Sequence, residues 1–425
     1  MSAGARPLLR ITGLEGLALA ALFCAAATSG FVFQEPAPHD VVLAGLICAF
    51  VAAGLAVPRG IAPLAVLLTL YVIGSFIAGA RASDVDGTMA HSLVTFYLAG
   101  SAVFYACVAA WSPVRALDAI FAGTLVAAVI AAVAGIGGYF NLVPGADGLF
   151  ELYGRARGTF KDPNVFGPFL VLPLLYVGCR VMAGRLAALA LWGPIGAILL
   201  LGLLLSFSRG AWLNFAVAAT VFILIATTAL GERALSRRAG LLAMAGVVVM
   251  ACGLAWAAGS DRIADLLSER AHIAQDYDTG ATGRFAGQAV ALGVIVAEPL
   301  GIGHGGFARY HPEQPHNVYL NTFLNSGWLG GMSYLVLVLA TFMRALTLAL
   351  RRGPAQPFAI VLGATFIGLM VEGFVVDTDH WRHFMAVTGL IWGAGAAAPT
   401  APGRMAPSRP PQAGLRSRRA RVRSR

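Results

Sequence analysis

The stretch HNVYLNTFLNSGWLGG, residues 316–331, sets His316 and Asn317 at the head of an apolar run, with Gly327 and Gly331 further along it. Histidine exchanges its proton near neutral pH, so His316 suits a general base that takes a proton from a hydroxyl. The plainer reading makes His316 the cap of a helix beginning near Asn317, with the glycines allowing close helix packing. Arginines supply the complementary chemistry. Arg209, in SFSRGAW, sits in a very short loop between two apolar runs. It either anchors a helix end or forms an anion site near the membrane plane. Arg284, in ATGRFAGQ, opens a predicted helix, where free backbone N–H groups disfavour a cation unless an anion arrives. An exposed arginine is the alternative there.

A second basic cluster lies in RARGTFKDPNVFG, residues 155–167. Asp162-Pro163-Asn164 is a helix-start signal, because Asp caps and Pro fits the first turn. Arg155, Arg157 and Lys161 upstream face either an anionic ligand or lipid headgroups. Arg309 joins the candidates by proximity to His316. His304, His311 and His316 share one loop, and His380 and His383 could share a helix face; the 304/311/316 spacing matches no zinc pattern and no Cys joins it, so no metal is expected. Asp84 and Asp86, in DVD, form a minor alternative as an acidic metal-binding pair. The cysteines lie singly in apolar runs without CxxC spacing and read as small buried hydrophobes.

The elements that must position these residues are transmembrane helices. The chain is 58% hydrophobic and 12% charged, about half the charged share of a soluble domain. Apolar runs of membrane-spanning length, split by Gly, Pro and Arg, predict spans at 11–33, 41–57, 61–80, 92–112, 115–140, 163–180, 184–206, 211–230, 239–259, 317–343, 357–376 and 380–396. The runs do not alternate as barrel strands do, and a lipid-exposed backbone must satisfy its own hydrogen bonds, so an all-α membrane protein of about twelve helices is expected. The first run resembles a signal peptide, but its length and the helices that follow favour a retained span.

With both termini in the cytoplasm, nearly every arginine in a short loop falls inside, as the positive-inside rule requires. The same assignment sends all eight histidines and most acidic residues outward, Glu15, Asp118 and Glu232 being the exceptions. Residues 1–397 then form one polytopic membrane domain, with outer loops at 141–162 and 260–315. The larger loop is predicted to carry an amphipathic surface helix over 261–271 and an apolar helix over 284–297 ending at Glu298-Pro299, with GIGHGG (301–306) as a flexible turn. Residues 398–425 form an Arg- and Pro-rich tail expected to be disordered. The net charge of +10 is accounted for by membrane sidedness, and no nucleic-acid partner is inferred.

HNVYLNTFLNSGWLGG resembles the signature of the O-antigen ligase/polymerase family: His, then Asn, Ser or Gln, nine residues, Gly, three residues and a small residue. SRGAW at Arg209, TGR at Arg284 and GTFKDPNVFG resemble further family segments, in the same order, over roughly residues 150–395. The resemblance implies a GT-C-like, metal-independent membrane glycosyltransferase that needs no cofactor. Its glycan donor is carried on undecaprenyl diphosphate. Its acceptor is lipid A-core, a growing polysaccharide or a protein hydroxyl, in lipopolysaccharide or exopolysaccharide biosynthesis. It implies a multi-pass protein of the bacterial inner (cytoplasmic) membrane with its active face in the periplasm. Arg209 and Arg284 are expected to hold the diphosphate and His316 to act as base. Arg309, Arg157, Lys161 and Asn317 complete the expected substrate-binding set.

Two other classes fit the composition. A solute transporter is the first, with Glu372, Asp377 and Asp379 along an ion path. Against it, no internal repeat or pair of broken helices is evident, and the polar groups crowd one face. A non-catalytic glycan-assembly protein is the second.

Overall fold

The computed structural model describes residues 14–184, 187–230, 280 and 283–397. The expected span at 239–259, the surface helix at 261–271 and the tail at 398–425 lie outside the described residues. The helices in chain order are α1 (Leu14–Ala27), α2 (Pro38–Ala52), α3 (Ala62–Gly79), α4 (Val85–Trp111), α5 (Pro113–Tyr139), α6 (Ala146–Phe150), α7 (Pro163–Phe169), α8 (Val171–Ala183), α9 (Ala188–Leu205), α10 (Arg209–Leu230), α11 (Arg284–Ala297), α12 (Val318–Leu350), α13 (Gln356–Glu372) and α14 (Arg382–Ala396).

Every expected span that falls on described residues coincides with a helix. Among the described residues seven helical stretches are long and apolar enough to cross a membrane, with α7 and α8 counting as one; α1, α2, α11 and α13 are shorter apolar helices. The boundaries differ where polar groups intervene. α1 stops at Ala27 rather than continuing to residue 33, because the Thr28 and Ser29 hydroxyls donate to the Ala25 and Ala26 carbonyls at 2.7 and 2.6 Å. α4 begins at Val85, earlier than expected, because Asp84 caps it by accepting from the Gly87 N–H at 3.0 Å. That capping role accounts for the DVD stretch structurally.

The principal helix pairs are α3 with α12, α4 with α14, α10 with α13, and α1 with α5. Small residues set the α4–α14 crossing: a Cβ on Gly389 or Gly393 would lie 2.1 Å from the Ala102 or Ala106 carbonyl oxygen. This four-residue spacing is the close-approach pattern of membrane helices. A bidentate ion pair joins α2 to α14, with Arg382 Nε and Nη2 each donating at 2.7 Å to the two Asp40 oxygens.

The two ends of the bundle collect the residues that the arginine pattern sorts apart. At one end Arg115 pairs with Glu15 at 2.7 Å, and Gly60 lies against Ala396 near Arg344. At the other end His91, His304 and His380 meet. The sequence anticipates no sheet, yet the outer loop 141–162 holds a small antiparallel hairpin, β1 (Glu151–Leu152) and β2 (Arg155–Ala156), with Glu151 opposite Ala156. A lipid-exposed backbone must satisfy its own hydrogen bonds, a constraint on spans and not on a connecting loop. Cys24 and Cys48 are exposed on the helix surface, unlike the expected buried setting, whereas Cys107 is buried.

Candidate active site at the head of α12

The first turn of α12 is stitched to the end of α13. The Val318 N–H donates to the Gly373 carbonyl at 2.9 Å, and the Tyr319 hydroxyl donates to the Met370 carbonyl at 2.6 Å. Asn317, not His316, caps the helix: its Oδ1 accepts from the Tyr319 and Leu320 N–H groups at 3.1 and 3.3 Å. Asn317 is buried, and this oxygen is committed to the cap. His316 is thereby released from capping and stands one residue before the helix with φ of 43°. A bulky non-glycine residue in the left-handed region costs roughly 1–3 kcal/mol and persists only where its surroundings impose it.

That conformation brings His316 Nδ1 to 3.6 Å from Asp377 Oδ2, with both side chains partly exposed. This is an ion-pair distance rather than a hydrogen bond. The other Asp377 oxygen accepts from the Asn321 side-chain amide, one helical turn along α12 from the cap. The carboxylate is therefore fixed from one side and faces the imidazole on the other. A carboxylate at Nδ1 leaves Nε2 as the nitrogen able to take a proton.

Helices led by arginine approach the same place. Arg209 is the first residue of α10, and its turn is built by Ser206, Phe207 and Ser208. Phe207 has φ of 45°, Ser208 Oγ accepts from the Ala211 N–H at 3.3 Å, and buried Arg155 donates to the Ser206 carbonyl at 2.9 Å. Arg155 thus positions the loop that carries Arg209. The next residue, Gly210, abuts Glu372 and Val376, directly before Asp377. Arg284 is the first residue of α11, one turn before Gln288, whose amide donates to the Pro315 carbonyl at 3.0 Å. The two helix starts present the positive ends of their dipoles on this side of the bundle.

Other sequence candidates also meet backbone carbonyls or cap a helix. Arg309 Nε donates to the Gly306 carbonyl of its own turn at 3.3 Å, and its guanidinium lies 5.9 Å from the Tyr310 ring centre. Arg157 donates to the Leu149 and Gly148 carbonyls at 3.2 and 3.3 Å, fastening α6. Asp162 caps α7 as expected, accepting from the Asn164 N–H at 2.7 Å.

The motif glycines have distinct jobs. α12 breaks at Gly327, where φ is 64° and ψ is −171°. Into that break docks the segment after α11: the Trp328 N–H donates to the Pro299 carbonyl and the Ile302 N–H to the Leu324 carbonyl, both at 2.8 Å. A Cβ on Gly327 would lie 2.6 Å from the Leu300 carbonyl carbon. Gly331 faces the Phe323 ring across the same break. The glycines therefore serve a helix break rather than a plain helix-packing seam, and GIGHGG is anchored by it.

Beside this site three imidazoles stack. His91 lies 4.0 Å from His304, nearly parallel to it, and 3.9 Å from His380, between ring centres. Asp379 accepts from the Tyr71 hydroxyl at 2.7 Å and from His380 Nδ1 at 3.0 Å. Burial pushes the Asp379 carboxyl up, but His380 and these hydrogen bonds outweigh it and hold it below the ordinary carboxylate range. Burial and His380 hold the His304 imidazole below its usual value. His311 is not part of the stack; its Nδ1 lies 2.9 Å from the Glu313 carbonyl oxygen. Glu372, Asp377 and Asp379 thus meet Asn214, His316 and His380 respectively, with Asn214 donating to Glu372 at 2.7 Å.

A separate cleft opens between α1, α5, the α7–α8 segment and α14, with Glu35, Lys161, Asp162 and Arg382 among its lining residues. Lys161 lines this cleft. His383 Nε2 and Thr365 Oγ1, from two of its lining residues, find no hydrogen-bond partner among the described residues.

Residues 194–335 match the family model described as O-antigen ligase. The matched stretch contains Arg209, Arg284 and His316, so the family resemblance carried by those three motifs is borne out there. No curated protein matches the chain.

Proposed function

We propose that this chain, multi-pass and O-antigen ligase-like over residues 194–335, transfers a glycan from a polyprenyl diphosphate to an acceptor hydroxyl at the periplasmic face of the bacterial inner membrane. The observation that carries this reading is the His316–Asp377 contact at 3.6 Å, set among the arginine-led starts of α10 and α11. His316 takes the acceptor proton on Nε2 while Asp377 steadies the Nδ1–H form. The acceptor oxygen attacks the anomeric carbon, and the bond from that carbon to the diphosphate oxygen breaks with its electron pair. Arg209 and Arg284 receive the negative charge that develops on the leaving group, since guanidinium groups match phosphate oxygens with paired N–H donors. Fixed cations of this kind stabilise the transition state without reorganising. No divalent ion is required in this scheme.

Attack from the face opposite the leaving group inverts the anomeric centre. The exposure of His316 and Asp377 suits a base that must meet an acceptor from outside the bundle. A ligase and a polymerase share this donor chemistry, and the acceptor they use separates them.

The test is transfer from an undecaprenyl-diphosphate-linked glycan by purified protein, in the presence of chelator. Lipid A-core and a lipid-linked repeat unit are offered as separate acceptors. Wild type is expected to transfer with inversion, and His316→Ala to bind donor without transferring it. Full transfer by His316→Ala, or a product that keeps the donor's anomeric configuration, would remove this mechanism.

A further inference from the structure

The imidazole stack beside the active site contains donors that the transfer chemistry does not use. His91, Asp379 and His380 each offer one ligand atom, and those atoms lie within 4.8 Å of one another. His304 stacks on His91 with ring centres 4.0 Å apart, beside this three-residue group rather than within it. Three donors from two separated segments therefore converge, the start of α4 and the approach to α14, with His304 of the turn after α11 stacked beside them.

We propose that His91, Asp379 and His380 form a binding site for a zinc-class divalent transition-metal ion, distinct from the transfer site, with the stacked His304 turning in to complete it. The donor set is nitrogen-rich with one carboxylate, which suits Zn²⁺ and its neighbours rather than Mg²⁺ or Ca²⁺.

The surrounding hydrogen bonds are arranged as a metal site's outer shell is. His380 Nε2 lies 3.0 Å from Thr95 Oγ1, and Thr95 donates to the His91 carbonyl at 3.0 Å. Because that carbonyl only accepts, the Thr95 proton is used there, and Nε2–H donates to the Thr95 oxygen. The inward nitrogen, Nδ1, is the one left to face Asp379 and a metal ion. Asp379 is steadied in turn by the Tyr71 hydroxyl at 2.7 Å. Ligating histidines characteristically donate their second N–H in this way, and such partners fix ring orientation. Metal–nitrogen bonds of about 2.0–2.1 Å in a tetrahedron require donors closer together than 4.8 Å, so the site closes by turning the His91 and His304 rings. On binding, the ion replaces the Nδ1 proton of His380, which leaves to solvent; the proton count balances without any redox step.

The position gives the ion a mechanical consequence. His304 belongs to the turn that docks into the Gly327 break, with the neighbouring Ile302 N–H on the Leu324 carbonyl. Asp379 stands two residues after Asp377. A bound ion would clamp the loop, the head of α4 and the segment that presents Asp377, without touching the reacting atoms.

The test uses tag-free, full-length protein in detergent, stripped of metal and titrated with Zn²⁺ against a chromophoric chelator, and separately with Co²⁺. One Zn²⁺ per chain is expected for wild type. His91→Gln and His380→Gln should bind at least tenfold more weakly, whereas His311→Ala and His383→Ala should bind as wild type does. The Co²⁺ form should show the intense visible absorption of a four-coordinate N/O site, and Zn²⁺ should displace it. Equal Zn²⁺ binding by the His91→Gln/His380→Gln double variant, or none by wild type, overturns the proposal. The cobalt spectrum needs no variant: its absence at one equivalent overturns the site even if a substituted protein fails to fold.

Discussion

His316 Nδ1 faces Asp377 Oδ2 at 3.6 Å, although 61 positions separate the two residues in the chain, and His316 holds φ of 43° to do so. The contact exists because Asn317 takes over the helix cap and because the α12 head is bonded to the Gly373 carbonyl. In the proposed reaction a histidine facing a carboxylate, itself held by Asn321, serves as the base. Its loss is graded accordingly. His316→Ala should lower the transfer rate by about 10²–10⁴-fold, the usual scale for a positioned acid–base group. Asp377→Asn should lower it less, with donor binding kept in both, as single-turnover transfer and donor titration would show. Equal rates for Asp377→Asn and wild type would reduce Asp377 to a surface contact.

Arg209 and Arg284 head the helices that approach His316. Removing a charged hydrogen-bond partner costs about 1.5–3 kcal/mol, or roughly ten- to more than a hundredfold in affinity or rate. Arg209→Ala and Arg284→Ala should each weaken donor binding on that scale. Lysine should rescue poorly, because an ammonium lacks the guanidinium fork. Inhibition by inorganic diphosphate offers a direct reading: each alanine variant should become less sensitive to it.

Gly327 is expected to resist substitution. Its φ of 64° and the Leu300 carbonyl carbon 2.6 Å from any added Cβ oppose even alanine. Gly327→Ala should destabilise the protein by about 1–3 kcal/mol through backbone strain alone. It should also loosen the Pro299–Ile302 segment docked in the break. Thermal unfolding in detergent, with protease cleavage mapped around residue 300, would check both effects; an unchanged unfolding temperature would count against the break as a fixed feature.

Asp40 and Arg382 join α2 to α14 through two bonds of 2.7 Å, with Asp40 only 9% exposed. Breaking a buried pair by removing one partner costs about 3–5 kcal/mol, because the other charge is left uncompensated. Asp40→Ala should therefore destabilise, though by less than that full cost because Glu35 still faces Arg382 at 3.8 Å. The Asp40→Ala/Arg382→Ala double variant should regain part of that loss in the same unfolding measurement. A double variant as unstable as the sum of the singles would show that packing, and not charge, dominates there.

Local signals in the sequence were reliable wherever short-range physics decides the outcome. The hydrophobic runs became helices at each expected span among the described residues. Asp162 capped α7, and α11 ran from Arg284 to Ala297, stopping ahead of Pro299. The match over residues 194–335 bears out the family resemblance carried by Arg209, Arg284 and His316. Other assignments depended on neighbours that no local signal names. Asp377 looked like part of an ion path because only its place at the end of an apolar run was legible. Arg157 and Arg309 were legible as basic residues, but not the backbone carbonyls each of them also meets.

The sequence by itself determined that the chain is built of apolar helices, which end carries the histidines, and which residues have suitable acid–base or anion-binding chemistry. Composition, periodicity and arginine sorting are sums over residues close together in the chain, so they survive without knowledge of the packing. Only the tertiary structure decided that Asp377 partners His316, that Gly327 admits the Pro299–Ile302 segment, and that His91, His304 and His380 stack. Each of those relations joins segments distant along the chain, and the close fit of helix against helix sets which side chains meet.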